Sequence, residues 1–278
     1  MDQYTNTSYK VSNLVTTSYS TSFGLSIRLF DTSLRPHIYA IYGLVRIADE
    51  IVDTYTGTDK RKVLDDFEAQ TYAALKTGYS TNPVIHAFVV TAHRYAIDET
   101  LLQPFFESMR MDIDQQMFTQ DLYTNYIYGS AEVVGLMCLK VFTDDAKLYV
   151  SLEKGASHLG AAYQKVNFLR DIATDAKGLG RWYFPIASFD TFDEKVKNEI
   201  IADIEKDFRE AAKAIAKLPA SSRNAIELSY QYYNQLLKRL KETPALTLKT
   251  KRIRVNDIQK AILFARTSLK KHMGTHNV

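Results

Sequence analysis

Apolar residues recur at helical spacing along most of the chain, whereas alternation of apolar and polar residues with a period of two is nearly absent. Helix-start signals punctuate this pattern, among them Pro36, the pair Asn82-Pro83 and Pro219. The sequence therefore predicts an all-α protein. Its helices are expected near residues 11–20, 36–55, 59–76, 83–96, 99–117, 122–142, 145–176, 194–217, 220–242 and 255–271.

The domain organisation is expected to be simple. No segment repeats, none is low in complexity, and no linker rich in Pro, Gly or Ser divides the chain, so residues 1–278 are interpreted as one domain. Residues 1–10 are expected to form a flexible N-terminus. One sizeable break interrupts the helical pattern at residues 177–192, which contain Gly178, Gly180 and Pro185. We call residues 177–192 the flap segment and expect it to be mobile.

Two helices carry acidic stripes. Gln164, Asn167, Asp171 and Asp175 fall within about 80° of one another on a helix whose other sides are apolar. A second stripe, inside about 60° of arc, comprises Tyr42, Arg46, Asp49 and Asp53.

Buried carboxylates require a compensating cation. Two such stripes facing each other across a cavity would suit Mg²⁺, with a phosphorylated ligand completing the coordination. The competing interpretation is two surface helices with solvated acids, which either motif alone would favour.

Three further motifs bear on chemistry. The run Tyr19-Ser20-Thr21-Ser22-Phe23 offers hydroxyls that could hold phosphate oxygens or simply cap a helix. The small residues that follow Tyr126-Ile-Tyr128 allow close approach of a helix or a ligand, and core packing explains the tyrosines equally well. In the flap segment, Arg181-Trp-Tyr183-Phe-Pro185 combines a cation with aromatic rings, which suits covering an anionic head group beside an apolar tail.

Composition narrows the class of protein. The 278 residues carry a formal net charge of +3, which is too small to argue for nucleic acid as a partner. The single cysteine, Cys138, rules out an internal disulfide framework and fits a cytoplasmic compartment. The N-terminus lacks a leader pattern and no run is long enough to span a membrane. Basic residues near the C-terminus indicate a solvated face, or transient contact with an anionic membrane surface.

Motifs for other cofactors are missing. The histidines lack zinc-ligand spacing, and neither a phosphate-binding loop nor a dinucleotide-binding turn occurs. A helical bundle with a Mg²⁺-diphosphate site above aromatic and aliphatic walls is suited to carbocation chemistry, because metal ions and Arg take up the charge of departing diphosphate. Such a cavity must also exclude water.

These residues closely resemble the squalene/phytoene synthase family over residues 16 to 266. The resemblance rests on the hydroxyl run, both acidic stripes, Tyr126-x-Tyr128-Gly129, the Arg170-Asp171 pair and Gly180-Arg181-x-Tyr183-Phe184-Pro185. Within the family the chain is most similar to bacterial phytoene synthases. Where those often have Val-Ala-Gly-Thr-Val-Gly, this chain has Ser130-Ala-Glu-Val-Val-Gly135.

The resemblance implies a single-domain bundle of the class I isoprenoid synthase type with a central cavity. It also implies Mg²⁺-dependent head-to-head condensation of two prenyl diphosphates, expected to be geranylgeranyl diphosphate, through a cyclopropylcarbinyl diphosphate. Two diphosphates would be released, Mn²⁺ could replace Mg²⁺, and no NADPH is expected. A transient contact with the cytoplasmic membrane surface would serve product release.

The resemblance also implies a role for each site residue. The implied metal ligands are Asp49, Asp53, Asn167, Asp171 and Asp175. The implied substrate-binding residues are Tyr19, Ser20, Thr21, Ser22, Phe23, Tyr42, Arg46, Gln164, Arg170, Tyr233 and Arg252. The implied catalytic residues are the four aspartates with Tyr42, Arg46, Tyr128, Arg181 and Tyr183.

Three alternatives stay open. A dehydrosqualene or squalene synthase would act on farnesyl diphosphate, and a few side chains would set that difference. The candidates for setting cavity depth are Phe23, Leu25, Val134, Leu136, Met137 and Leu159. A class I terpene cyclase shares the fold, but Gln164 and the Arg170-Asp171 pair argue against it. A non-catalytic scaffold protein would be expected to lose acids from the stripes, and all are present.

Overall fold

The computed structural model describes residues 2–114, 117–143 and 145–274, without the side chains of Thr21, Ser22, Lys177, Leu179, Asp257 and 269–274. Within these ranges the chain forms α-helices and two π-helical turns and no strand. The helices are α1 Gln3–Tyr19, α2 Thr21–Ile27, α3 Arg35–Asp53, α4 Lys60–Thr77, α5 Pro83–Tyr95, α6 Glu99–Asp114, α7 Gln120–Ile127, α8 Val133–Phe142, α9 Ala146–Thr174, α10 Glu194–Ile215, α11 Ala220–Glu242, α12 Ala245–Leu248 and α13 Asp257–Gly274. The π-helical turns are Tyr128–Glu132 and Asp175–Leu179.

Capping residues fix several of the helix starts that the sequence predicted. Asn82 accepts a hydrogen bond from the amide of Val84 at 3.0 Å, and Pro83 occupies the first turn of α5. Asp145 caps α9 through the amide of Lys147 at 3.0 Å. These caps satisfy amides that have no partner inside the helix, so the predicted starts of α5 and α9 are confirmed.

The predicted start of the first helix is wrong, and residues 3–10, which we expected to belong to a flexible N-terminus, are part of that helix. Helix α1 begins at Gln3, with Asp2 as its cap, and Thr5, Ser8 and Tyr9 are buried. The hydroxyl of Tyr9 lies 3.1 Å from Thr91 Oγ1 on α5. Because the buried face of α1 is built from hydroxyl residues, hydrophobic periodicity could not reveal it.

The sequence predicted one helix over residues 122–142. The structure has three helical elements there instead, because a π-helical turn separates α7 from α8. At its second position, Gly129 packs so closely on α6 that an added Cβ would lie 2.1 Å from the carbonyl oxygen of Pro104. Only glycine fits this approach. The extra residue in the turn changes which side of α8 faces the interior.

Two hydrophobic cores lie along α9, which packs against both α8 and α10. The first core is formed mainly by α3, α5, α6 and α8, with Phe88, Phe105 and Phe106 fully buried. The second surrounds the later half of α9 and includes Trp182 and Phe184 of the flap segment. Burial of these rings holds the ends of α3 and α9 in place. That the whole chain is one domain stays a prediction.

None of the helices described is both long and apolar enough to span a membrane.

Candidate active site

A cavity of about 700 Å³ lies between α2, α3, α8, α9, α10 and α11. The lining residues on α3 and on α9 change from apolar to polar in the chain direction. On α3 they are Ile38, Tyr42, Val45, Arg46 and Asp49, and on α9 they include Leu152, Leu159, Gln164, Asn167 and Arg170. The carboxyl ends of the two helices therefore define the polar end of the cavity.

The stripe on α3 is organised around Arg46. Its guanidinium forms an ion pair with Glu50, lies 3.9 Å from Asp49 Oδ2 and stacks 4.3 Å above the ring of Tyr19. The buried Nε of Arg46 has no hydrogen-bond partner among the described residues. A buried donor without a partner is costly, so this atom is available to an oxygen of a ligand.

In the stripe on α9, the carboxylate of Asp171 lies between two arginines. Arg170 donates to Asp171 through Nε at 3.0 Å and Nη2 at 2.5 Å, and Arg252 donates through Nε at 2.7 Å. One turn earlier, Asn167 Oδ1 accepts a hydrogen bond from the hydroxyl of Tyr233 at 3.4 Å. The ring of Tyr233 stacks on Tyr163 with centroids 3.9 Å apart.

Arg181 joins the two stripes. Its backbone amide donates to the carbonyl oxygen of Asp175 at 2.9 Å, and its Nη1 donates to Asp53 Oδ1 at 2.8 Å. Arg181 therefore brings the carboxyl ends of the two stripes together. Of the four aspartates, Asp49 lines the cavity, whereas Asp53, Asp171 and Asp175 do not. That the stripes face each other across the cavity stays a prediction. The flap segment was expected to be mobile, but Arg181 and the rings of residues 182–184 are buried, because those rings complete the second core.

The carboxylates crowd one another. Burial, and then the charges of Asp53 and Asp112, raise the pKa of Asp49 to about 7, although the Arg46 charge opposes this rise. Burial, and then Asp171, raise the pKa of Asp175 to about 7. About a third of the Asp49 side chain is accessible, and it lines the cavity. The excess of negative charge at this end is what a bound cation would relieve.

The donor set fits Mg²⁺ in its chemistry. Among the described residues, no three His, Cys, Asp or Glu side chains are close enough together to hold a metal ion by themselves. Each stripe instead offers two carboxylates, and α9 adds the amide oxygen of Asn167. These are hard oxygen donors, and Mg²⁺ usually takes one or two carboxylates with substrate phosphates and water completing its coordination. Oxygens of a ligand or of water would therefore have to complete such a site.

The cavity lining includes most of the substrate-binding residues that the sequence indicated. They are Tyr19, Ser20, Phe23, Tyr42, Arg46, Gln164, Arg170, Tyr233 and Arg252. Ser20 also caps α2, because its hydroxyl accepts a hydrogen bond from the amide of Phe23 at 3.2 Å. Helix capping was the alternative to phosphate binding for this hydroxyl. The side chains of Thr21 and Ser22 lie outside the described part of the chain.

Tyr128 is not brought to the site. It sits in the π-helical turn, is 39% exposed and does not line the cavity. Its neighbour Tyr126 is buried instead and donates its hydroxyl to Asp112 Oδ2 at 2.7 Å. The unwound turn changes the register at this point, which helical periodicity could not anticipate.

The sequence analysis missed Asp112. Its carboxylate on α6 is buried and accepts hydrogen bonds from Tyr126 and Tyr183, and burial raises its pKa to about 6. A signal was present, since Asp112 follows Leu101, Phe105 and Ser108 at helical spacing on the buried face of α6. A carboxylate continuing an apolar stripe requires a partner.

Three of the six depth candidates line the cavity, namely Phe23, Val134 and Leu159. Leu25 on α2 does not line it, and neither do Leu136 and Met137, because the register of α8 follows the π-helical turn. The apolar end is formed instead by residues that include Phe30, Ile38, Leu139, Phe142, Leu152, Ile215 and Leu218.

The fold is that of the class I isoprenoid synthases. A dehydrosqualene synthase solved with a ligand superposes with a TM-score of 0.80 at 21% identity, covering 96% of this chain and 98% of that one. A squalene synthase from Alicyclobacillus acidocaldarius superposes with a TM-score of 0.76, also at 21% identity, covering 88% and 98%. The predicted all-α bundle with a central cavity is confirmed.

The family model for squalene/phytoene synthases matches residues 16–259, and the chain belongs to that family of prenyl-transferring enzymes. The phytoene synthase of Arthrospira platensis is 29% identical over 216 residues, 73% of this chain and 69% of that protein. A 4,4'-diapophytoene synthase of Staphylococcus haemolyticus is 27% identical over 201 residues, covering 70% and 68%. Phytoene synthase 1 of Arabidopsis thaliana is 30% identical over 281 residues, covering 92% and 66%.

Proposed function

We propose that this protein is a phytoene synthase that condenses two geranylgeranyl diphosphates head to head, through a cyclopropylcarbinyl diphosphate, and releases two diphosphates. The observation that carries the proposal is that the two acidic stripes meet through Arg181 beside the polar end of an apolar cavity, which Asp49 and Asn167 line. Phytoene synthases among the relatives support the choice within the family.

The residues at the polar end of the cavity would bind metal ions and diphosphate. Bound Mg²⁺ would neutralise the charge that develops on each departing diphosphate. The enzymes of this family depend on divalent metal ions in general, and we assign the ligand role to Asp49, Asp53, Asn167, Asp171 and Asp175. Arg46, Arg170 and Arg252 line the polar end and would bind diphosphate oxygens through charge-assisted hydrogen bonds.

The apolar body of the cavity protects the reaction. Its walls exclude water that would quench an allylic cation, and the ring of Tyr42, stacked on Phe23 at 5.0 Å, offers a face that stabilises positive charge without bonding to it. Formation of the cyclopropylcarbinyl diphosphate and its conversion to phytoene would each end with loss of a proton. No hydride donor would be consumed, so NADPH is not expected.

The runner-up is a dehydrosqualene or squalene synthase acting on farnesyl diphosphate. The 4,4'-diapophytoene synthase relative favours this alternative. The two reactions differ in chain length, which the apolar end of the cavity controls. The test is kcat/KM for the C15 and C20 diphosphates measured side by side with Mg²⁺. A preference for C20 supports the proposal, and a preference for C15 moves the assignment to the runner-up.

We further propose transient contact with the cytoplasmic face of an anionic membrane through α13. Ile258 and Ile262 are 73% and 45% exposed, and Ala261 and Ala265 continue the same exposed stripe. Lys251 and Arg254, immediately before α13, are exposed as well. An apolar stripe beside basic residues suits an anionic lipid surface.

Vesicle co-sedimentation tests the membrane contact. The double variant Ile258→Ser, Ile262→Ser should bind less to vesicles containing phosphatidylglycerol than the parent protein does. Leu14→Ser, which alters an exposed apolar residue on α1, is the matched control and should bind like the parent. Equal binding by all three proteins, or no binding by the parent, would refute the proposed surface.

A further inference from the structure

The carboxylate of Asp112 lies outside the cavity lining yet contacts three side chains next to the acidic stripes. Tyr126 donates its hydroxyl to Oδ2 at 2.7 Å, and Tyr183 donates its hydroxyl to Oδ1 at 3.0 Å. The Nη1 of Arg181 lies 3.5 Å from the same Oδ1. Because Asp112 is only 7% exposed, these contacts replace the water that the carboxylate loses on folding.

Arg181 is shared between Asp112 and the carboxyl end of α3. Its Nη1 donates to Asp53 Oδ1 at 2.8 Å, and its Nη2 lies 3.3 Å from the carbonyl oxygen of Val52. Arg181 is itself 7% exposed. A guanidinium is a planar fork whose donors have fixed relative directions, so three acceptors on two helices define its orientation.

Tyr183 extends the same contact network to α9. Its ring stacks on Phe168 with centroids 4.0 Å apart and an interplanar angle of 9°. Its hydroxyl points the other way, to Asp112. The carboxylate of Asp112 therefore links α6 to α3 through Arg181 and to α9 through Tyr183.

We propose that Asp112 is a positioning residue that holds Arg181 and Tyr183 of the flap segment across the acidic end of the cavity. If Asp53 became a metal ligand, Arg181 would keep Asp112 as its carboxylate partner and would stay at the acidic end of the cavity. The effect on turnover rests on the proposed function, whereas the positioning itself is a property of the folded chain.

Trp182 provides a readout that is independent of catalysis. It is the single tryptophan of the chain, it lies between Arg181 and Tyr183, and it is 7% exposed. Quenching of its fluorescence by acrylamide reports whether this part of the flap segment is held in place. A second readout is the rise in melting temperature caused by Mg²⁺ with inorganic diphosphate.

The informative substitution is Asp112→Asn, which keeps the shape and removes the charge that holds Arg181. We expect stronger quenching of Trp182 and a smaller rise in melting temperature with Mg²⁺ and diphosphate. Turnover should fall roughly 10- to 100-fold, as is usual when a group that orients a metal-site residue is removed. Asp114→Asn is the matched control, because Asp114 lies on the same turn, is exposed and pairs only with Arg61 among the contacts described. It should leave all three measurements unchanged.

Two outcomes would overturn the proposal. In the first, Asp112→Asn leaves quenching and the ligand-induced shift at the parent values. In the second, turnover falls only in proportion to the folded fraction measured by circular dichroism. If Asp112→Asn does not fold, Tyr183→Phe decides, since it removes one hydrogen bond to Asp112 and keeps the stacked ring; unchanged quenching there also refutes the proposal. If the parent protein makes no hydrocarbon, the proposed function fails, while the quenching of Trp182 and the ligand-induced shift in melting temperature still test Asp112.

Discussion

The guanidinium of Arg252 binds the carboxylate of Asp171 across 81 residues of sequence, with Nε 2.7 Å from Oδ1 and Nη2 3.3 Å from Oδ2. Arg170 binds the same carboxylate from the neighbouring position, with its Nη2 2.5 Å from Oδ2. A cation that takes Asp171 as a ligand must therefore displace an arginine. A diphosphate offers that arginine a new partner, so metal and diphosphate binding are expected to be coupled.

The variant Arg252→Gln tests this coupling. Mg²⁺ alone should bind more tightly to it than to the parent, because Asp171 loses a competing partner. The KM for the prenyl diphosphate should rise roughly 10- to 100-fold, since a hydrogen bond to a charged group contributes about 1.5–3 kcal/mol. Isothermal titration with Mg²⁺, together with steady-state kinetics, gives both quantities. Lys251→Gln, an exposed neighbour, is the control, and weaker Mg²⁺ binding by Arg252→Gln than by Lys251→Gln would contradict the account.

The raised carboxyl pKa values make both stability and metal binding depend on pH. The pKa of Asp49 and of Asp175 is about 7 in the folded chain, against an ordinary value of 3.8. The stability that these groups contribute is therefore fully present below about pH 4 and is lost as the pH rises through about 7. Binding of Mg²⁺ needs ionised oxygens and should strengthen over the same window.

Urea unfolding at several pH values between about 5 and 8, in EDTA and in Mg²⁺, measures this dependence. The midpoint in EDTA should fall with rising pH more steeply for the parent protein than for Asp49→Asn. Mg²⁺ should restore the parent at the upper end of the range. Identical pH slopes for the two proteins would show that the Asp49 carboxyl does not titrate as described.

Both acidic stripes are required for turnover in this account. Asp49→Ala and Asp171→Ala should each lower kcat/KM by orders of magnitude while helix content is retained, because each removes a metal ligand from a different helix. Asp66→Ala provides the control, since its carboxylate is exposed and pairs with Lys62. Wild-type turnover by either stripe variant at saturating Mg²⁺ would mean that the two-stripe site is wrong.

The apolar end of the cavity should set chain length. Phe30 and Phe142 stack there with ring centroids 5.1 Å apart. Phe142→Ala opens the end and should shift the ratio of kcat/KM values toward the longer diphosphate, at a cost of about 3–5 kcal/mol in unfolding free energy. Phe88→Ala removes a fully buried ring that does not line the cavity. It should cost similar stability without shifting the ratio, and equal shifts in both variants would count against the assignment.

Much of the fold and of the site could be predicted from the sequence, because it depends on residues that are close together in the chain. The stripes on α3 and α9 follow from four-residue spacing on otherwise apolar helices, and the caps of α5 and α9 follow from single residues. Arg252 lies beside Asp171 although the two residues are distant in the chain, and its implied substrate-binding role stays a prediction.

The rest depends on tertiary contacts that have no periodic signature. Helix α1 buries hydroxyls rather than aliphatic side chains, and the π-helical turn that exposes Tyr128 depends on how closely Gly129 approaches Pro104. Asp112 becomes informative only once Tyr183, 71 residues away, is seen to donate to it. Such contacts are decided by packing between distant segments, which spacing within one helix cannot report.

The most direct test of the central claim is the ratio of diphosphate released to hydrocarbon formed, measured with purified protein and Mg²⁺, with the C20 and the C15 diphosphate in separate reactions, with and without NADPH. The account expects a C40 hydrocarbon, two diphosphates released per hydrocarbon, no effect of NADPH and no product in EDTA. One diphosphate per product would indicate a cyclase, a reduced product formed only with NADPH would indicate a squalene-type reaction, and no product from either prenyl diphosphate would indicate a non-catalytic protein. Any of these three results would contradict the proposed function.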